Sequence, residues 1–565
     1  VNRALEAAGL KVVETDLGEY IVQLRGERPA HIITPAVHLR RAQVGQTFHE
    51  KLGLPLTDDI PTLTSAARRI LRQTFLEADI GISGVNFGVA ESGTLCIVTN
   101  EGNGRMVTTL PRVHIALMGM ERLVPTLDDL ALMLSLLPRS ATGQKLSVYT
   151  SLIHGPRRDG ELDGPDERHL VLVDNGRSAM RRSPLAEALY CIRCGACLNA
   201  CPVFREIGGH AYVSVHGEGS PYPGPIGSIV SPALFGQQEF GQLARASSLC
   251  GACKEACPVD IDLPKLLLRV RAGGEDLKST RDPSGVPPAM SWGLRLYNWA
   301  ARSPWRFASA QRATAFFSRL LAPASGWLHL PAFTGWGYSR DLPRPAARSF
   351  HQRWAAGQVE HNSAFEAPQP PAQADAGEVQ ESRTRGMAQA ELVERFEHEL
   401  SELGGTMTSC HAADLPTALL ALLQARQIKA LLAWDEDQLP SGILGALQEA
   451  GIEVLHRPDP GVKVGLTGAL AGIAETGTLV LPSGQGRMLS ASLLPEVHIA
   501  VLRISDLRPS LEQVFKEANA GSLQQVRQAS ALALISGPSR TADIEMTLTI
   551  GVHGPGEVNV FCLED

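Results

Sequence analysis

The chain has no run of 18 or more uncharged apolar residues, so no segment has the length and apolarity of a membrane-crossing helix. It also lacks an excess of positive charge. A net charge of -7 gives no general attraction to nucleic acid or to an anionic lipid surface. No Gly-x-Gly-x-x-Gly follows an apolar run and no flavin signature is present, so nothing indicates a bound dinucleotide. The opening Val1-Asn-Arg-Ala-Leu-Glu does not have the form of a signal peptide. Cysteine is scarce outside one region. Of ten cysteines, only Cys96, Cys410 and Cys562 lie elsewhere, and these read as small buried hydrophobes. That usage excludes a disulfide scaffold and predicts a reducing, cytoplasmic setting.

The remaining seven cysteines are patterned. Cys191, Cys194, Cys197 and Cys201, followed by Pro202, have the C-x2-C-x2-C-x3-C-P spacing by which bacterial ferredoxins hold iron–sulfur clusters. A shorter run gives Cys250, Cys253, Cys257 and Pro258. Three thiolates at this spacing close over one face of a cube, and the fourth, ahead of a chain-turning proline, is carried towards another. In such pairs the fourth cysteine of each run ligates the other run's cluster. The expected sets are therefore Cys191, Cys194, Cys197 and Cys257 for the first cluster, and Cys201, Cys250 and Cys253 for the second. The second set is one short, because Ser247 stands three residues before Cys250. Either a 3Fe–4S cluster or a 4Fe–4S cluster with a non-cysteine fourth ligand satisfies the count. Structural zinc is the alternative, since C-x2-C pairs also bind zinc, but seven cysteines with two Cys-Pro endings fit four-ligand tetrahedral sites badly.

Self-comparison reveals a repeat. Gly88-Val-Ala-Glu91-Ser-Gly-Thr-Leu95 matches Gly472-Ile-Ala-Glu475-Thr-Gly-Thr-Leu479. Each is followed by Gly-x-Gly-Arg-Met, at Gly102, Gly104 and Arg105 and at Gly484, Gly486 and Arg487. Each then reaches Leu-Pro-x-Val-His-Ile-Ala, with His114 and His498 at equal distances from the glutamates. Similarity extends upstream, from 4–13 to 446–455, and downstream, from Ile153-His154-Gly155-Pro156 to Ile535-Ser536-Gly537-Pro538. The first copy carries an insertion of about 58 residues that includes an amphipathic stretch from Leu63 to Phe75. The second has sequence from about 389 to 445, including an expected helix over 417–427 and a strand over 428–434, that the first lacks. The first copy therefore reads as starting in mid-domain, N-terminally truncated by about two β/α units.

Apolar runs at 94–99, 113–118 and 169–173 alternate with helical patterns such as 127–137, which predicts α/β domains with a largely parallel sheet. The expected organisation is a truncated α/β domain over 1–180 and an α-helical dicluster ferredoxin-type domain over 181–275. A Trp-rich helical extension (276–355), a Pro-rich linker (356–384) and a second, complete α/β domain (385–565) follow. The extension holds six of the seven tryptophans, which suits either a docking face or a helical hairpin over the cluster domain.

The candidate catalytic residues are Glu91, Arg105, His114, Glu475, Arg487 and His498. Gly102, Gly104 and Arg105, with Gly484, Gly486 and Arg487, can form an anion loop or a tight turn. The two glutamates can serve acid–base chemistry or cap a turn. Histidines within apolar strands favour internally bonded core residues. Ser536-Gly-Pro-Ser539-Arg540 has the look of a strand-end anion loop, and His210 reads as loop structure.

The order of these motifs, with Cys-Ile-Arg-Cys-Gly-Ala-Cys-Leu-Asn-Ala-Cys-Pro and Leu-Cys-Gly-Ala-Cys-Lys-Glu-Ala-Cys-Pro between the two copies, closely resembles the iron–sulfur B component of the bacterial L-lactate utilisation system over about 1–355. Residues 385–565 resemble its C component. The resemblance implies a B–C fusion whose repeated domain is similar to ribose-phosphate isomerase and CoA transferase-like folds. It further implies two 4Fe–4S clusters, a role in oxidising lactate to pyruvate, and a separate cysteine-rich A-type component, without naming the electron acceptor. Two other readings stay open: a redox subunit for another substrate, and an isomerase- or transferase-like enzyme with structural clusters.

Overall fold

The amphipathic and apolar stretches form the elements that their periods predict. The stretch from Leu63 to Phe75 lies within a helix, Ile60–Glu77, which Asp59 caps by accepting from the Thr62 N–H. Helices Leu127–Thr142 and Leu415–Ala425 cover the other two expected positions. The computed structural model describes residues 1–31, 34–273, 288–323, 325–329, 331, 341–357 and 388–564. Trp336 and most of the expected linker lie outside these. The chain divides into one unit made of residues 1–174 with 380–565, and a second made of residues 175–379.

In the first copy the strands are β1 (Ile80–Gly84), β2 (Phe87–Val89), β3 (Leu95–Thr99), β4 (Val113–Gly119), β5 (Leu123–Val124), β6 (Tyr149–Ile153) and β7 (Glu167–Val173). The 175–379 unit contributes β8 (Trp327–Leu328) and β9 (Leu342–Pro343). The second copy has β10 (Thr406–His411), β11 (Ala430–Ala433), β12 (Glu453–Leu455), β13 (Val464–Gly468), β14 (Ala471–Ile473), β15 (Thr478–Pro482) and β16 (Val497–Arg503). It continues with β17 (Leu507–Arg508), β18 (Ala531–Ile535), β19 (Arg540–Thr541), β20 (Thr549–Ile550) and β21 (Glu557–Glu564).

Each copy has a parallel sheet: β1-β4-β7 in the first and β10-β21-β16-β13-β11-β12 in the second. A parallel sheet is normally covered on both faces. In the second copy Leu392, Phe396, Leu415, Leu419, Ile443 and Leu447, from helices over 389–449, join its core. The first copy has no counterparts of β10, β11 and β12 among the described residues. Its β7 leaves Leu170, Val171, Leu172 and Val173 between 43% and 51% exposed.

A further sheet, mainly antiparallel, was not foreseen from the sequence. Its order is β17-β14-β15-β18-β6-β3-β2-β5, so it runs unbroken from one copy into the other. The seam is the antiparallel pair β6–β18, in which Ser151 faces Ala533 and Leu152 faces Leu532. Ser151 and Ala533 are equivalent positions of the repeat, so the pairing is that of a pseudo-two-fold dimer within one chain. One apolar core spans the seam and includes Leu127, Leu130, Leu134 and Leu152 from the first copy with Val514, Phe515, Leu532 and Leu534 from the second. The cysteine region separates the copies along the chain, but the copies join each other directly. The insertion of the first copy packs Leu17, Ile21, Phe48 and Leu63 against Ile544 and Val552 of the second.

The 175–379 unit is helical around its cysteines. Helices Gly224–Phe235 and Leu263–Arg271 bury Ile229, Leu266, Leu267 and Val270 with Met180 and Leu185 beside the cysteine turns. Helices Pro288–Ala301 and Pro304–Leu321 follow, with Trp292, Trp299 and Trp305 largely exposed.

Candidate metal centre

The two cysteine runs are built on the same local backbone. After Cys191 the chain places Arg193 at φ 60° and Gly195 at φ 78°. After Ser247 it places Leu249 at φ 57° and Gly251 at φ 91°. Glycine adopts this left-handed region freely, whereas a side chain as large as leucine holds it only where the surroundings require it. Turns of this kind, with left-handed residues at alternate positions, can aim backbone N–H groups at a concavity, a geometry that suits sulfur-rich anionic clusters. The Arg193 N–H donates to Cys191 Sγ at 3.4 Å, and the Leu249 N–H donates to Ser247 Oγ at 3.1 Å. The Ser247 hydroxyl thus occupies the place in the second turn that the Cys191 thiol occupies in the first.

Each Cys-Pro ending starts a new direction. Pro202 opens helix Pro202–Ile207, and Cys201 caps it by accepting the Phe204 N–H on sulfur at 3.5 Å. Cys257 Sγ accepts the Ile261 N–H at 3.5 Å. The sulfurs fall into two neighbourhoods. Burial raises the Cys197 thiol pKa, with Cys191, Cys194 and Cys257 as the like charges that raise it further. Burial pushes Cys253 up to about 11, reinforced by Cys197, Cys201 and Cys250. The exposed Cys250 is instead lowered, first by the Ala252 N–H. Cys197 thus neighbours Cys191, Cys194 and Cys257, and Cys253 neighbours Cys197, Cys201 and Cys250. No three of the cysteine sulfurs, among the described residues, lie within 4.8 Å of one another. His210 is exposed in a short turn.

The six candidates in the repeated domains occupy paired positions. Glu91 accepts the Leu127 N–H at 3.1 Å, and Glu475 accepts the Leu511 N–H at 3.1 Å. Each carboxylate therefore caps the helix that opens there. His114 and His498 are fully buried; their Nε2 atoms meet Ser83 Oγ at 2.8 Å and Thr467 Oγ1 at 2.9 Å. Burial pushes both pKa values down to about 3, helped by Arg168 at His114 and by Arg105 at His498. Both are consequently neutral imidazoles.

The glycine loops diverge. Gly102 sits at φ 94° at the start of helix Asn103–Thr109, close against Gly554 of the other copy. Arg105 is buried, stacks on Tyr149 with its guanidinium 5.0 Å from the ring centroid, and donates to the Ser492 carbonyl at 3.1 Å and hydroxyl at 2.8 Å. It clamps one copy to the other. Gly484 and Arg487 form an isolated bridge, Gly486 adopts φ 71°, and the half-buried Arg487 leaves Nε without a hydrogen bond. Ser536 bonds Thr478 at 2.7 Å, and Ser539 donates to the Glu101 carbonyl. Sequence reasoning did not single out Glu101 or His553, which meet where these loops cross between copies. The available signal was a difference inside the repeat, Glu101 standing where the other copy has Ser483.

Comparison with known proteins settles the family. The LUD domain family matches residues 2–173 and again 390–563, well over half of the chain. The chain belongs to the LUD domain family. A 4Fe-4S dicluster domain matches residues 187–261, between the two LUD domains. The chain is 43% identical over 363 residues to a protein named Lactate utilization protein B from Bacillus pumilus (strain SAFR-032), covering 64% of this chain and 74% of that one. It is 44% identical over 355 residues to the Uncharacterized electron transport protein YkgF of Escherichia coli (strain K12), covering 62% of this chain and 71% of that one. A crystal structure of a DUF162 family protein from Deinococcus radiodurans is 24% identical, with a TM-score of 0.24, covering 32% of this chain and 99% of that one. No helix among the described residues is long and apolar enough to cross a membrane.

Proposed function

We propose that the chain is the iron–sulfur electron-transfer component of an L-lactate-oxidising system, working with a cysteine-rich A-type component and carrying its own C-type LUD domain. The observation that supports this reading is the pair of matching cysteine turns within a 4Fe-4S dicluster domain, in a chain 43% identical to a protein named for lactate utilisation. Cys191, Cys194, Cys197 and Cys257 would hold one 4Fe–4S cluster, and Cys201, Cys250 and Cys253 the second. Oxidation of lactate to pyruvate releases two electrons and two protons, and two one-electron centres side by side supply the means to pass such a pair singly.

The fourth ligand of the second cluster is Ser247 in this proposal. Its hydroxyl accepts the same backbone hydrogen bond as the Cys191 thiol in the matching turn, which supports a 4Fe–4S over a 3Fe–4S assignment. The protein's own residues do three things here. They desolvate Cys197 and Cys253, direct N–H groups at Cys191, Cys201 and Cys257, and hold the two groups together through Cys197. Hydrogen bonds to sulfur and burial are levers on cluster potential.

The test is anaerobic purification followed by iron and sulfide analysis and electron paramagnetic resonance of the native chain, Ser247→Cys and Ser247→Ala. The native and Ser247→Cys proteins should each hold about eight irons, and Ser247→Ala should show a three-iron signal at the second site. An unchanged Ser247→Ala spectrum removes Ser247 as a ligand. Failure of a deletion strain to grow on lactate, with normal growth on other carbon sources, supports the substrate; normal growth on lactate contradicts it.

A further inference from the structure

Three carboxylates from distant parts of the sequence converge in the LUD unit. Asp16 precedes the first helix of the insertion, Glu101 begins the glycine loop of the first copy, and Asp543 lies in the crossing loop of the second. Their oxygens lie within 4.8 Å of one another, and Glu101 and Asp543 are 4% and 8% exposed. Among the described residues, no lysine or arginine pairs with any of the three. The nearby arginines donate elsewhere: Arg68 to the Gly551 and Gly554 carbonyls, and Arg72 to those of Leu494 and His553. Glu101 Oε1 accepts the Leu17 N–H at 3.2 Å, while its Oε2 is buried without a hydrogen bond. Like charges gathered out of water need a counter-charge or bound protons.

A fourth group points into the cluster. His553 is 1% exposed, and its Nε2 stands 3.3 Å from Glu101 Oε1 without forming a hydrogen bond. The ring is held edge-on against Phe75 at 5.3 Å. A neutral histidine with a buried, unpartnered Nε2 can offer that nitrogen's lone pair to a metal.

The repeat supplies an internal comparison. Aligning the Gly-x-Gly-Arg loops puts Ser483 opposite Glu101. Aligning the Ile-x-Gly-Pro and Gly-Pro segments puts Glu161 opposite Asp543 and Asp163 opposite His553. There Ser483 simply donates to Glu161 at 2.8 Å, and Asp163 accepts the Ser490 N–H at 2.6 Å. The same crossing of loops is therefore satisfied without a carboxylate triad, so the fold does not require one.

We propose that Asp16, Glu101, Asp543 and His553 bind one divalent cation of the Mn2+ class, linking the insertion of the first copy to the crossing loop of the second. Three oxygens and one imidazole suit a hard-to-borderline ion rather than a thiophilic one. The alternative is that the carboxylates share protons.

The test uses the full cluster-loaded chain, passed over chelating resin and titrated anaerobically with Mn2+, with the free aqua-ion resonance reporting binding. One Mn2+ should bind per chain. Glu101→Gln and Asp543→Asn should each weaken binding by at least about tenfold, and Glu161→Gln, at the matched position of the other copy, should leave it unchanged. Electron spin-echo modulation of the native Mn2+ complex should show one imidazole nitrogen, lost in His553→Gln, and this holds as evidence even where a carboxylate variant folds poorly. No bound Mn2+, no nitrogen modulation, or equal loss in Glu161→Gln overturns the proposal, and absence of binding leaves proton sharing as the explanation.

Discussion

Leu152→Ala tests whether the two LUD copies behave as one folding unit. Leu152 is fully buried on β6, opposite the fully buried Leu532 on β18, at the seam of the eight-stranded sheet. Its side chain shares a core with Leu130 and Leu134 on one side and with Val514, Phe515 and Leu534 on the other. Truncating a buried leucine removes its transfer free energy and leaves a cavity that close-packed neighbours fill only in part, at a cost of 2–5 kcal/mol. The seam is flanked by paired strands on both sides and has little room to collapse, so about 3 kcal/mol is expected, roughly a hundredfold rise in the opening equilibrium. Hydrogen exchange read by mass spectrometry under native conditions measures this for each copy separately. Peptides from β3 in the first copy and β15 in the second should lose protection together and by similar factors. Loss confined to residues 80–173 would refute a shared cooperative core.

Removing either helix cap with Glu91→Ala or Glu475→Ala should cost about 1 kcal/mol and leave electron transfer within about twofold. Lost transfer at unchanged stability would restore a catalytic role. His498 is held neutral to about pH 3 in the folded protein, whereas the unfolded chain takes up this proton near pH 6.5. Its contribution to stability is therefore complete above pH 6.5 and is lost as pH falls towards 3, at up to about 1.4 kcal/mol per pH unit. Asp543, raised to about 6 chiefly by burial, acts in the opposite sense. The difference in urea midpoints between native protein and His498→Gln across pH 5–7 isolates the histidine, and parallel pH dependences would contradict it. Arg105→Lys should loosen the clamp between copies, since lysine cannot both stack on Tyr149 and reach two Ser492 acceptors. A drop in thermal midpoint measures this, and an unchanged midpoint would make the clamp dispensable.

Ligand spacing was legible because it is local. Cys191, Cys194 and Cys197 lie within one turn region, and their grouping needs no knowledge of distant contacts. The repeat was legible for a related reason, as similarity between Gly88–Leu95 and Gly472–Leu479 requires only the sequence. The join between copies was not. Residues 149–153 and 531–535 are ordinary apolar strands, and nothing in either marks the other as its partner. The same holds for Arg105, whose acceptors at Ser492 are 387 positions away. Glu91 and Glu475 were open to acid–base chemistry or capping, and in the fold each accepts from a helix start 36 residues later, a contact that local sequence does not show. The convergence of Asp16, Glu101, Asp543 and His553 depends on the insertion and both copies at once, so it emerges only with the fold.

The central claim is that the cysteines carry electrons released from lactate. Electron paramagnetic resonance of the anaerobic full chain, recorded before and after lactate is added together with the A-type component, tests it most directly. Two cluster signals that grow in with lactate and are abolished in Cys253→Ser at the second site are predicted. Clusters that dithionite reduces but lactate with its partner does not, or a Cys253→Ser protein with an undiminished response, would contradict it.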